Sequence, residues 1–500
     1  MNRAEKLMIL EKGAQTWDLI IAGGGATGLG IMLDAASRGL KTVLLERNDF
    51  GSGTSSKSTK LIHGGIRYLK TFDLPHLLES SKEQRILSNI APHLLKPVNF
   101  VIPVKNFRER LWYGMGLTFF DVLTWKNRNP PSRFLSKKEL EKIIPNLDCS
   151  KLYGGISYTD IQFNDSRFAV SLAKTGENFG AISLNYCSIT SLIKENDKIV
   201  GVMAVDNING KELSLKAKTV INSCGPEIDK IAKMDDPQHK DLIHPLQGTH
   251  LVLPEKFIGK NSAIIIPETE KKRVLYLIPW NNCTLVGTTE ELLSDPTSES
   301  IPQKSEIEYL LSESSKYLRE KPTQNDIISV FSGIRPLLKE GDFLSGKHLS
   351  REFRVIESKS GLITVGGGKW TTYRKMAEVV ISSIIHKYPG FKTESITESI
   401  KLDNTKEDSN TGLDKLVHSD LPLTWSQVHN SIYRENAISI MDILGRRTNL
   451  VYIKPEACIE AAYPIAEFMQ NELNFNDKRK QLLISNFISE IEKITIPIRK

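Results

Sequence analysis

A glycine-rich hexapeptide, Gly23-Gly24-Gly25-Ala26-Thr27-Gly28, lies between an apolar run, WDLIIA (17–22), and a helical pattern, LGIMLDAASRGL. Gly23, Gly25 and Gly28 fit G-x-G-x-x-G. Such glycines allow a tight turn, close approach of the backbone to a pyrophosphate and close helix–strand packing. The helix start then offers unpaired N–H groups to the phosphate charge. Glu46 ends the next apolar run, KTVLLE (41–46), 18 residues after Gly28. An acid there accepts hydrogen bonds from ribose hydroxyls. The pattern predicts dinucleotide binding. Directly afterwards comes a segment rich in glycine and hydroxyls, GSGTSSKSTKLIHGGIRYL (51–69). A plain nicotinamide fold would continue with its next helix and strand. A hydroxyl-rich loop can instead wrap the pyrophosphate and flavin of FAD.

The elements needed to position these groups begin with a βαβ unit, a parallel-sheet signal. From about 75 to 150 the pattern reads as mostly helical and basic. Short β runs with turn residues follow to about 220, with Asn209-Gly210 as a hairpin turn. Another β-rich block covers 243–290, then a helix at 305–320, strands around 327–335 and 351–366, and a helix at 369–388. Past about 395 a polar stretch reads as a linker to a helical C-terminal unit.

The chain has 500 residues, 40% hydrophobic and 25% charged, which excludes a disordered chain, a fibrous repeat and a disulfide mini-protein. Its length suggests about three domain-sized units. Sixty-six Lys and Arg against 59 Asp and Glu leave a net charge of +7, a weak sign of an anionic partner. Cys149, Cys187, Cys224, Cys283 and Cys458 are scattered without metal-ligand spacing, so neither disulfides nor a metal site is expected, and a reducing cytosol is the simplest setting. The N-terminus is too polar for a secretion signal, and no apolar run is long enough to span a bilayer.

Several motifs together make the chain resemble the FAD-dependent, nicotinamide-independent glycerol-3-phosphate dehydrogenases. They are residues 18–69, APHLL (91–95), YTDIQFNDSRF (158–168), GTHLVLP (248–254), LYLIPW (275–280), VGTTE (286–290), FSGIRPL (331–337), GGGKWTTYRKMAE (366–378) and MDILGRRT (441–448). Two local departures stand out: NSCGPE (222–227) lacks the family's usual aromatic after Gly-Pro, and Glu290 replaces the usual Asp. The resemblance implies an α/β fold of the amino-acid-oxidase type, a Rossmann-like FAD domain interleaved with a β-rich substrate domain, plus a C-terminal helical cap. The body is expected at 17–390, with FAD segments at about 17–75, 150–228 and 327–390 and substrate segments at about 76–149 and 229–326. The cap is expected at 400–500.

The implied reaction is hydride transfer from C2 of sn-glycerol 3-phosphate to flavin N5, giving dihydroxyacetone phosphate. His63 and His250 are candidate bases, since histidine titrates near neutrality; which of them acts stays open. Arg67, Tyr68, Arg335, Arg351 and Lys369 are candidate substrate and phosphate contacts, and Arg335 is also a candidate catalytic group. The planar guanidinium fork suits phosphate. Gly23, Gly24, Gly25, Ala26, Thr27, Gly28, Glu46, Arg47, Thr54, Ser55, Ser56, Ser58, Lys60, Leu61, His63, Gly225, Gly368, Lys369 and Thr371 are expected to hold FAD. Lys369 and the helix start after it would favour negative charge on the flavin's pyrimidine edge.

Residues 107–128 interleave Trp112, Tyr113, Phe119, Phe120 and Trp125 with Leu and Met, flanked by Arg108, Arg110, Lys126 and Arg128. That composition fits either a buried helix or an interfacial anchor. With a quinone as the implied electron acceptor, peripheral contact with an anionic membrane surface is expected, on the cytoplasmic inner face of the cell membrane. An oxidase that passes electrons to O2 and makes hydrogen peroxide is the alternative. No nucleic-acid partner is expected, because the Lys478-Arg479-Lys480 run reads as a solvated face. A homodimer stays open.

Overall fold

The computed structural model describes residues 1–13, 15–63, 73–123, 130–294, 300–339, 353–404 and 413–499. Two large sheets organise the body. In the first, the strands Phe353–Glu357, Ile363–Gly367, Glu212–Asn222, Trp17–Ala22, Thr42–Leu45 and Ile182–Leu184 lie in that order. Trp17–Ala22 pairs in parallel with Thr42–Leu45 on one side and with Glu212–Asn222 on the other. All six of its residues are buried. Central parallel strands are covered on both faces, so residues 19–22 and Thr42–Leu45 read as near-continuous apolar runs. The helix Ala26–Ser37 makes the crossover, and the helix Tyr373–Ile384 packs on it. Gly30 permits that approach, because a Cβ there would lie 2.7 Å from the Tyr373 ring.

Among the described residues the second sheet has ten strands. Its path runs Glu291–Leu292, Ile243–Pro254, Cys283–Gly287, Leu275–Trp280, Ser262–Ile266, Leu95–Val104, Gly154–Phe163 and Leu61–Ile62. Ser329–Leu338 pairs antiparallel with Ile243–Pro254 over ten positions, including Leu246 with Arg335, Gly248 with Gly333 and His250 with Phe331. This register delivers His250 and Arg335 to one region.

Three sequence expectations change. The stretch read as mostly helical, 75–150, contains the ten-residue strand Leu95–Val104, held between Gly154–Phe163 and Ser262–Ile266. Pro97 and Pro103 within it are incompatible with a helix interior. The segment boundaries also do not follow the sheets. Leu61–Ile62, Gly154–Phe163 and Ser329–Leu338 were expected in FAD segments but hydrogen-bond into the second sheet. Strand pairing across long sequence separation, invisible in local pattern, decides this. Finally, Ile400 and Leu402 are buried in the body's core, so the polar stretch after 395 does not leave the body at once.

The C-terminal helices Trp425–Tyr433, Pro455–Leu473 and Asp477–Arg499 share a core that includes Val428, Ile440, Leu444, Ile465, Met469 and Phe487. The turn Asp442–Arg447 fastens this unit to the body. Arg446 Nε and Arg447 Nη1 donate to Asp49 Oδ2 at 2.8 and 2.5 Å, all three being largely buried. Burial alone would raise the Asp49 carboxyl, but the two guanidinium groups hold it at about 2.

Helix Phe107–Leu123 buries Leu117 and Phe120 and exposes Phe107, Leu111, Trp112, Met115, Phe119 and Val122. The exposed positions fall at helical spacing on one side. The choice left open by the sequence, core or surface, thus falls to the surface for this helix. Trp125, Lys126 and Arg128 lie outside the described residues. No helix among the described residues is long and apolar enough to cross a membrane.

Candidate active site

The glycine turn is built as the spacing predicts. Gly23 has φ +100°, and a Cβ on Gly28 would sit 2.0 Å from the Gly23 carbonyl oxygen. Both positions therefore require glycine. Gly25 caps the helix Ala26–Ser37 without a side-chain cap, and no acid stands in the first turn. Such a start is suited to an anion. Ser55 Oγ accepts from the Ala26 N–H at 2.9 Å, which leaves its own O–H to donate. Glu46 accepts the Gly24 N–H at 2.6 Å and the Asn48 N–H at 2.8 Å, one on each oxygen. Burial pushes its carboxyl up, against these two hydrogen bonds. Arg47 reaches across to Glu227 in a two-pronged ion pair, with Nη1–Oε2 at 2.5 Å. The residue that departs from the family's aromatic thus has a partner.

Strand geometry places the other end. Gly248 and His250, two apart on Ile243–Pro254, share a face. Gly248 makes room for Arg335, whose Nη2 would be 3.2 Å from a Cβ there. His250 is 2% exposed and stacks on Phe331 with ring centroids 4.9 Å apart. Its Nε2 shares a hydrogen bond with Thr59 Oγ1 at 3.0 Å. Burial first, then the nearby Arg335 and Lys60 charges, lowers its pKa well below the ordinary 6.5. His63 is more open. Its Nδ1 lies 3.6 Å from Asp160 Oδ2, and its ring tilts against Tyr276 at 5.6 Å. Gln84 Nε2 fixes Asp160 by donating to Oδ1 at 2.6 Å.

Lys369 is exposed, beyond Gly367 and Gly368, both with positive φ. A Cβ on Gly368 would meet Met376 Sδ at 2.3 Å. A short 3-10 turn, Trp370–Thr372, leads into the helix Tyr373–Ile384. Trp370 Nε1 donates to the Ser55 carbonyl at 2.9 Å, tying this loop to the hydroxyl-rich one.

One cavity of about 2440 Å³ joins these parts. Small-molecule sites ordinarily run to roughly 300–1,000 Å³, so an extended dinucleotide and a substrate fit together. Gly23, Gly25, Ala26, Thr27, Glu46, Arg47, Thr54, Ser55, Ser58, Leu61, His63, Gly225, His250, Arg335, Gly368, Lys369 and Thr371 line it. Gly24, Gly28, Ser56 and Lys60 do not. Gly24 and Gly28 shape the turn from behind. Lys60 corrects the expectation of a cofactor cation: its ammonium is 1% exposed and donates to the Ser56 carbonyl and to both Asp165 oxygens at 2.6, 2.7 and 2.9 Å. All three of its N–H bonds are spent inside the protein. Thr54 and Ser58 likewise donate inward, to the Ile334 carbonyl and Asp165. Arg67, Tyr68 and Arg351 lie outside the described residues.

Sequence reasoning missed Thr59, Asp160 and Arg273, which touch or line this site. Asp160 lies in the quoted YTDIQFNDSRF motif, a signal that went unused. Arg273 carried none.

The FAD dependent oxidoreductase family model matches residues 18–374, and the model for the C-terminal domain of alpha-glycerophosphate oxidase matches 350–480. The mitochondrial glycerol-3-phosphate dehydrogenase of Homo sapiens is 34% identical over 96% of this chain and 74% of its own length. Its probable counterpart in Caenorhabditis elegans is 33% identical over the same shares. The glycerol-3-phosphate dehydrogenase of Bacillus halodurans, solved with FAD, superposes with a TM-score of 0.79 at 24% identity, covering 99% of this chain and 98% of that one. The L-alpha-glycerophosphate oxidase of Mycoplasma pneumoniae, also with FAD, has a TM-score of 0.60 at 17% identity, covering 78% of this chain and 100% of that one. These two structures establish likeness of fold.

Proposed function

Because the chain belongs to the family of FAD-dependent glycerol-3-phosphate dehydrogenases, we propose that it oxidises sn-glycerol 3-phosphate to dihydroxyacetone phosphate and passes the electrons to a quinone. The observation that carries this reading is one cavity lined both by the dinucleotide turn and by His63, His250, Arg335 and Lys369. The residues fit FAD: Gly23 and Gly25 of the turn, an uncapped helix start and the half-buried acid Glu46 line the cavity. Gly23, Gly25, Ala26, Thr27, Glu46 and Ser55 hold it there, and Gly368, Lys369 and Thr371 hold the flavin end. Bound FAD supplies the hydride acceptor.

Arg335 and Lys369 bind the substrate's negative charge and orient C2. His63 takes the proton of the C2 hydroxyl. Asp160, whose Oδ2 lies 3.6 Å from Nδ1 without a hydrogen bond, stabilises the imidazolium that forms by its charge. His250 is less suited to that role. Burial and two cationic neighbours oppose its protonation, so as a neutral ring hydrogen-bonded to Thr59 it shapes the substrate pocket.

The apolar side of helix Phe107–Leu123 supports the acceptor and location. Trp112, Met115 and Phe119 are both exposed and part of the cavity wall. A lipid-soluble quinone approaches along this helix from an anionic membrane surface, on the inner face of the cell membrane.

Anaerobic mixing of the FAD-loaded protein with glycerol 3-phosphate is expected to bleach the oxidised flavin band, and a quinone to restore it. Absence of bleaching would contradict the substrate. Bleaching followed by reoxidation with O2 and stoichiometric peroxide, but not with quinone, would make the enzyme an oxidase.

A further inference from the structure

Arg335 shares its carboxylate partner. Its Nη1 donates to Glu290 Oε1 at 2.8 Å, and Arg273 Nη1 pairs with the other oxygen of the same carboxylate. All three residues line the cavity. They come from separate parts of the second sheet. Arg335 is on Ser329–Leu338, Glu290 precedes Glu291–Leu292, and Arg273 precedes Leu275–Trp280.

A carboxylate beside an anion-binding arginine works against simple electrostatics, because it repels the ligand that Arg335 would attract. Its geometry offers a different use. An arginine side chain has many rotamers, and a ligand must freeze it. A fixed carboxylate oxygen does that freezing in advance. Arg273, on the second oxygen, fixes the carboxylate in turn and returns the trio to a net positive charge. Gly248 leaves the guanidinium its space.

We propose that Glu290, anchored by Arg273, is the positioning residue of Arg335, preorganising its guanidinium for the phosphate group of the substrate. This rests on the reading of Arg335 as an anion-binding group given under the proposed function. Screening and positioning predict opposite signs. A carboxylate that only screens would, when neutralised, tighten anion binding. One that positions would weaken it.

The test titrates inorganic phosphate into the FAD-loaded protein and follows the perturbation of the flavin spectrum. Glu290→Gln is expected to weaken phosphate about tenfold to a hundredfold, the range for loss of a charge-assisted hydrogen bond. In an Arg335→Gln background the same change is expected to alter affinity less than about twofold, because residues acting as one unit are not additive. Unchanged or tighter binding in Glu290→Gln overturns the proposal. So does an equal loss in both backgrounds, or a wild-type protein that binds no phosphate. If Glu290→Gln does not load FAD, Arg273→Gln, at a side chain 41% exposed, is compared in the two backgrounds instead: its lost charge weakens phosphate in both, a loss about fivefold or more larger with Arg335 present supports the proposal, and equal losses overturn it. Bleaching by glycerol 3-phosphate, measured on the same wild-type sample, reports separately on the substrate.

Discussion

Two histidines of one residue type are set apart by their surroundings. His63 is partly open and backed by Asp160, whereas His250 is sealed between Phe331 and Thr59. His63→Asn is expected to lower kcat about 10²- to 10⁴-fold, the usual yield of a positioned base, and Asp160→Asn to lower it less, both read by single-turnover flavin reduction. Retention of wild-type kcat in His63→Asn would move the base elsewhere. His250 makes a thermodynamic prediction. Its folded pKa lies well below the 6.5 of the unfolded chain, so the unfolded state binds more protons between the two values. Stability is fully present above about 6.5 and is lost as pH falls below it, by at most about 1.4 kcal/mol per pH unit for this one group. His250→Phe, compared with wild type by urea unfolding between pH 5 and pH 7, is expected to flatten that slope.

At the scale of elements, legibility followed how local the cause was. The strand–glycine–helix unit was readable because its glycines report backbone needs within six residues, as Gly23 and Gly28 show. Lys60 was misread because its partner, Asp165, is 105 residues away; nothing nearby signals a buried ion pair. The strands Gly154–Phe163 and Ser329–Leu338 were expected as strands or near them, but not in the second sheet, since their partners are also remote. Helix Phe107–Leu123 was ambiguous because an apolar, aromatic helix packs equally well against a core or a membrane interface. Its exposed Phe107, Leu111 and Val122 resolve the first choice and set a test of the second. Replacing these three by Ser is expected to weaken binding to vesicles with anionic lipids about tenfold or more, with kcat toward a soluble acceptor kept. Sedimentation with vesicles measures it, and unchanged binding would remove this helix from the membrane contact.

At the scale of the molecule, a helical cap is fastened to the nucleotide arm by a buried charge cluster. Asp49 comes three residues after Glu46, so the loop that follows the proposed ribose acid is the loop the cap grips. Asp49→Ala removes the nearer of Arg447's two carboxylate partners, leaving Glu435 at 3.5 Å, and is expected to cost about 3 kcal/mol, the low end for a broken buried pair. Urea unfolding measures the loss, and faster release of FAD, followed by its fluorescence, is expected alongside. A change under about 1 kcal/mol would show the cluster to be structurally dispensable.

Two events define the proposed reaction: reduction of the flavin by substrate and removal of its electrons by an acceptor. The most direct measurement is anaerobic stopped-flow: the FAD-loaded protein is mixed with sn-glycerol 3-phosphate, then with a soluble quinone. Bleaching that saturates with substrate, one dihydroxyacetone phosphate formed per flavin, and recovery of the oxidised spectrum on adding quinone are predicted. A flavin that stays oxidised at saturating glycerol 3-phosphate would contradict the account.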